Sequence, residues 1–103
     1  MSSYANVEMD IIRWSEARGI IKGSTAQAQF VKGTAEWGEL ADCLIKHDID
    51  SVQDSIGSVM ICLINMSTIL DVSIPKCMEI AYDRIKHRTG YINKNGVYVQ
   101  NLK

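Results

Sequence analysis

Val52-Gln53-Asp54-Ser55-Ile56-Gly57-Ser58-Val59-Met60-Ile61-Cys62-Leu63-Ile64-Asn65-Met66-Ser67-Thr68-Ile69-Leu70 is the stretch that decides the fold. Val52, Ile56, Val59, Leu63, Met66 and Leu70 alternate steps of four and three, the spacing of a seam between packed helices. From Val59 to Ile64 the remaining positions are apolar too. A helix apolar on every side is buried on every side, which in a small domain points to a subunit interface. The apolar run is far shorter than a membrane span.

Upstream, Val7, Ile11, Trp14 and Ala17 or Arg18 recur at helical steps, predicting a first helix over residues 6–18. Gly19 sits where a left-handed residue would close it. Ser24 and Gln27 have capping-box spacing and predict the next helix start. Phe30, Val31, Trp37, Leu40, Ala41, Leu44 and Ile45 continue that helix to about Lys46, with Lys32, Glu36 and Glu39 on another side. Gly33 and Gly38 inside it read as close-approach points for a neighbouring helix. Asp48 and Asp50 are both candidate N-caps for the stretch quoted above. Ser73-Ile74-Pro75 restarts the chain, with Ser73 as cap and proline in the first turn, and predicts a fourth helix to about Arg88, stopped by Gly90. Asn95-Gly96 between Tyr91-Ile92 and Val97-Tyr98-Val99 predicts a hairpin. A lone hairpin is marginal in water, so it packs on the bundle or on a second chain.

The expectation is one all-α bundle of about four helices over residues 1–103, oligomeric, with residues 91–103 as a hairpin or extended arm. Lys plus Arg number 11 against 12 Asp plus Glu, a net charge of −1. That balance lacks the basic stripe of a nucleic-acid binder and the basic run that anchors on anionic membranes. Cys43, Cys62 and Cys77 lie far apart in apolar stretches and read as reduced core thiols. The N-terminal residues lack the basic and apolar regions of a secretory signal. A soluble cytoplasmic protein is the consequence. His47 and His87 stand in polar surroundings without a third partner, so neither a Cys–His nucleophile nor a zinc site is expected.

Glu36-Trp37-Gly38-Glu39 carries the chemistry. Carboxylates three residues apart on a helix project together and repel unless a cation joins them. Mg²⁺ takes one or two carboxylates together with substrate phosphates; a solvated helix face is the plainer reading. Asp54 is either a first-turn acid favoured by the helix dipole or a carboxylate facing that pair, with Ser58 one turn beyond it.

These residues resemble the MazG-like nucleotide pyrophosphohydrolases, which carry Glu-x-x-Glu on one helix and Glu-x-x-Asp on the next. The Glu36-Trp37-Gly38-Glu39-Leu40 core matches the first motif, and Gln53-Asp54-Ser55-Ile56-Gly57-Ser58-Val59 stands at the second. Trp14-Ser15-Glu16-Ala17-Arg18-Gly19-Ile20 looks like the opening helix of short, phage-type members. Ala81-Tyr82-Asp83-Arg84-Ile85-Lys86-His87-Arg88-Thr89-Gly90 and Asn95-Gly96-Val97 look like their endings. Ser55 and Ser58 depart from the pattern, standing where the family has Glu and Asp.

The resemblance implies hydrolysis of a nucleoside or deoxynucleoside triphosphate to monophosphate and pyrophosphate with Mg²⁺, or Mn²⁺ in its place. It makes Glu36 and Glu39 metal ligands, either able to orient the attacking water. Asp54 becomes the third carboxylate and Ser58 a weak or water-mediated contact. Lys32, Lys86, Arg88 and Lys94 would meet the phosphates, and Trp14 would stack on the base. The alternative is a family member impaired by Ser58 that binds or sequesters a nucleotide without turnover.

Overall fold

The computed structural model describes residues 2–102; the ends of the predicted domain, Met1 and Lys103, lie outside the described residues. Five helices and one small sheet follow in order: α1 Tyr4–Ala17, α2 Ile20–Gly23, α3 Ala26–Ile45, α4 Ile49–Ile69, α5 Ile74–Ile85, β1 Gly90–Ile92 and β2 Tyr98–Gln100. The all-α class holds, with a short helix, α2, added to the predicted count. It forms because Gly19 takes the left-handed conformation (φ 76°) that ends α1 and so redirects the chain into one further turn.

Local signals explain most boundaries. Thr25, not Ser24, caps α3, its hydroxyl accepting from the Ala28 amide at 3.0 Å. Ser24 instead ends α2 and accepts from Gln29 Nε2. Asp48 is the cap of α4, where the Ser51 hydroxyl and amide both donate to its carboxylate and hold its pKa below the ordinary value. The α3–α4 turn is a Schellman closure: the Asp48 amide donates to the Cys43 carbonyl, and His47 adopts a left-handed φ of 55°. Asp71 (φ 58°) repeats it at the end of α4. Ser73 caps α5 as expected. That helix ends at Ile85, not Arg88, and Gly90 belongs to β1, where a Cβ would collide with the Val99 carbonyl and the Tyr98 ring. Within the hairpin, Asn93 Oδ1 accepts from the Asn95 and Val97 amides, and Gly96 (φ 78°) closes the turn.

The core is the antiparallel α3–α4 pair, with α1 and α2 laid against α4. Three contacts fix its register. Asn65 Nδ2 donates to Gln29 Oε1 at 3.3 Å, Cys43 Sγ lies 3.7 Å from Ser55 Oγ, and a Cβ on Gly33 would stand 3.3 Å from Cys62 Cβ. Gly33 is therefore the close-approach point; among the described residues a Cβ on Gly38 would meet nothing within 4 Å. Of the three cysteines, Cys62 is buried, Cys43 half-buried and Cys77 exposed, so Cys77 is not a core thiol. As a whole helix, α4 is long and apolar enough to cross a membrane. A third of that apolar stretch is buried within the chain, against α1, α2 and α3.

The chain is unusually open. Its accessible surface is 8126 Å², whereas a compact monomer of its mass, 11.5 kDa, exposes about 5,800 Å². Its radius of gyration is 16.5 Å, against about 13 Å for a compact domain of this length. Helix α5 touches α4 alone, and the hairpin packs on no helix among the described residues.

Candidate functional site

Two faces of the α3–α4 pair differ in chemistry. On α4, steps of four, three and four place Asp54, Ser58, Ile61 and Asn65 on one face. On α3, Lys32, Glu36 and Glu39 share the matching flank. The antiparallel register sets Ser58 between the levels of Cys62 and Ser55, opposite the part of α3 that carries Glu36 and Glu39.

A cavity of about 680 Å³ opens on this side between α1, α2, α3 and α4, within the range of small-molecule sites. Val7, Ile11, Ile20 and Ile61 form apolar walls, Trp14 and Asp10 stand on the α1 side, and Lys32 lies on α3. The Arg18 guanidinium sits 4.3 Å from the centre of the Trp14 ring and donates to the Trp14 carbonyl, which orients the indole. Gln29, Ser24 and Asn65 supply the polar part of the lining.

Glu36 lies one turn beyond Lys32. It is half-buried and makes no hydrogen bond or ion pair among the described residues; Glu39 and Asp54 are exposed and likewise unpaired. Burial pushes the Cys62 thiol up, with Lys32 drawing it down and Glu36 raising it.

Among the described residues no three His, Cys, Asp or Glu side chains converge closely enough to hold a metal ion. Glu36, Glu39 and Asp54 share a side of the molecule without forming one cluster. Ser58 is half-buried beside them, and Ser55 is buried against Cys43 in the seam. The basic residues divide. Lys32 stands with the carboxylates and Trp14 with the cavity. Helix α5 instead meets the face of α4 that carries Met60, Leu63 and Ser67, opposite Ser58. Lys86 and Arg88, which follow α5, are therefore not brought to Glu36 and Glu39 within the chain, and Lys94 lies in the hairpin loop. Lys86 is paired with Asp83 at 3.2 Å.

Sequence reasoning passed over Ser15, Gln29 and Asn65, all buried and joined by hydrogen bonds. The available signal was Asn65 itself, an amide in the most apolar helix, which a buried position tolerates only with partners.

No protein-family model matches the chain. An uncharacterized 18.2 kDa protein from the rep–hol intergenic region of Haemophilus phage HP1 is 33% identical over 64 residues. That match spans 62% of this chain and 39% of the relative, so the chain corresponds to well under half of that protein. Among solved structures, a cyanophage S-2L MazG-like pyrophosphohydrolase bound to dGDP and three catalytic Mn²⁺ ions per active site is similar over 99% of this chain and 100% of its own. The TM-score is 0.69 at 19% sequence identity. Agreement over the full length, in an arrangement of five helices built around α3 and α4, gives this chain the MazG-like all-α fold.

Proposed function

We propose that the protein is a MazG-like nucleotide pyrophosphohydrolase, which cleaves a nucleoside or deoxynucleoside triphosphate to the monophosphate and pyrophosphate with Mg²⁺ or Mn²⁺. One observation carries this reading: Glu36, half-buried and without an ion pair among the described residues, lies with Glu39 just beyond Lys32, which lines a nucleotide-sized cavity together with Trp14. The shared fold with a pyrophosphohydrolase that binds dGDP and Mn²⁺ supports it.

The donor set fits one divalent cation held by Glu36 and Glu39 with substrate phosphates completing its coordination. It does not fit three such ions within one chain, because Ser58 is neutral and among the described residues no third carboxylate converges on the pair. When bound, the cation supplies charge neutralisation at the phosphates and a water of lowered pKa. The chain's own side chains do the rest. Glu36 and Glu39 orient that water, Lys32 offsets phosphate charge, and Trp14 gives the base an apolar face. Asp54 stands further along α4 as a candidate third carboxylate.

A second reading, nucleotide binding without turnover, is favoured by Ser58. Incubation with each nucleoside triphosphate and Mg²⁺ or Mn²⁺ separates the two. Monophosphate and pyrophosphate are the expected products; tight binding without any product establishes the second reading. Ser58→Asp restores a carboxylate opposite Glu36 and Glu39, and is expected to raise kcat by about tenfold or more. Unchanged activity in Ser58→Asp, with loss in Asp54→Asn, would mean that Asp54 already supplies that charge.

The open surface and the bare apolar flank of α3 and α4 support a homodimer or higher oligomer. Both relatives being phage proteins supports action in the cytoplasm of an infected host cell.

A further inference from the structure

A nucleotide's sugar joins its base to its phosphates, so a side chain standing between the regions that meet those two parts meets the sugar. Resting on the nucleotide reading above, we propose that Asp10 reads the sugar. Its carboxylate accepts hydrogen bonds from the 2′- and 3′-hydroxyls and so favours ribonucleotides over deoxyribonucleotides.

The order of groups along the cavity follows from three helices. One end is fixed by a relay of side-chain contacts, Ser15–Asn65–Gln29–Ser24, with spacings of 2.7, 3.3 and 3.1 Å. Trp14, the neighbour of Ser15, belongs to this end. Among the described residues the lining runs from Gln29 to Lys32 on α3, from Asn65 to Ile61 on α4, and from Trp14 to Val7 on α1. All three runs start at the relay, so they lead the same way, toward Lys32 and Glu36 beyond it. Val7, Asp10, Ile11 and Trp14 follow at steps of three, one and three, which is one face of α1. Asp10 therefore stands one turn from Trp14, about 6 Å along the helix, on the side of Lys32. With the base on Trp14 and the phosphates at Lys32, the sugar falls at Asp10.

The chemistry of that position is specific. Asp10 is the one carboxylate among the described lining residues, and it makes no hydrogen bond or ion pair among them. Val7, Ile11 and Ile61 around it are apolar and offer a hydroxyl nothing. A phosphate placed against Asp10 would set like charges together. An ionised carboxylate only accepts hydrogen bonds, and its two oxygens match two adjacent hydroxyl donors. Ribose presents that pair, as it does to the acidic residue of dinucleotide sites; deoxyribose presents one hydroxyl. Asp10 is exposed, so water competes for it and the discrimination is moderate.

Calorimetry with α,β-imido triphosphate analogues and Mg²⁺ tests this without turnover, each base being supplied in its ribo and deoxyribo forms. For whichever base binds, the wild type is expected to hold the ribo form about tenfold tighter. Asp10 is exposed and unpaired among the described residues, so Asp10→Ala keeps the fold. It is expected to bring the two forms within about threefold of one another. Lys32→Ala is expected to weaken both forms alike and keep their ratio, because Lys32 meets the phosphates they share. Equal binding of the two sugars by the wild type overturns the inference and leaves the nucleotide reading intact. An unchanged ratio in Asp10→Ala does the same. Failure of every analogue to bind overturns both.

Discussion

Glu36→Gln is expected to lower triphosphate cleavage by at least about 100-fold, since removing one ligand charge from a metal-assisted site forfeits several kcal/mol of transition-state stabilisation. Its neutral amide keeps the size of the side chain, so the half-buried position stays filled. Glu36 is half-buried and makes no ion pair among the described residues, and such a carboxylate is held in the fold at some cost. The melting temperature without metal is therefore expected to stay level or rise. In the wild type, Mg²⁺ plus nucleotide should raise that temperature, as any ligand of the native state does; in Glu36→Gln the rise should shrink or vanish. A variant that keeps activity within about threefold of wild type would remove Glu36 from the site. A fall in activity accompanied by a lower melting temperature would point instead to a structural role.

The outline of this arrangement was legible in the residues, and the physics of the parts that were not is specific. The alternating steps along α4 predicted a helix but not its buried face: of the six seam positions only Val52 is buried, Ile56, Leu63 and Leu70 stay exposed, and Ser55, Cys62, Ile64, Asn65 and Ser67 turn inward instead. Gly19, Asp48 and Ser73 marked boundaries through backbone geometry and amide capping, both local effects. Ser24 misled because two adjacent hydroxyl residues compete for one cap. Thr25 took it, while Ser24 served Gln29 across the cavity wall, a choice made by tertiary contact. Gly33 and Gly38 looked alike in sequence, yet only Gly33 falls on the seam opposite Cys62. The acidic pair was readable from spacing and resemblance. The Ser15–Asn65–Gln29–Ser24 relay was not, because it joins residues up to 50 positions apart and depends on a register that only the folded α3–α4 pair supplies.

The second large effect concerns the flank of the α3–α4 pair that faces away from the cavity. Phe30, Trp37, Val59, Leu63 and Met66 line an apolar groove there, and Trp37 and Phe30 are each 64% exposed. The chain shows roughly 2,300 Å² more surface than a compact monomer of its mass. Two such excesses together fall within the 2,000–5,000 Å² or so buried by obligate dimers. A second copy of this chain therefore matches the exposed area, and the four helices of two α3–α4 pairs would enclose one shared apolar layer. Truncating or charging a central aromatic at such an interface typically costs about 2 kcal/mol or more. The double variant Trp37→Glu, Leu63→Glu also places like charges within the layer. It is expected to raise the dimer dissociation constant by at least about 1,000-fold, two such losses at 1.4 kcal/mol per decade. Sedimentation at micromolar concentration should then show a single species near 11.5 kDa, against a heavier wild type. The melting temperature should fall and become independent of protein concentration, because association no longer contributes to stability. A wild type that already sediments as a monomer would leave this flank without a partner copy, whatever the variant does.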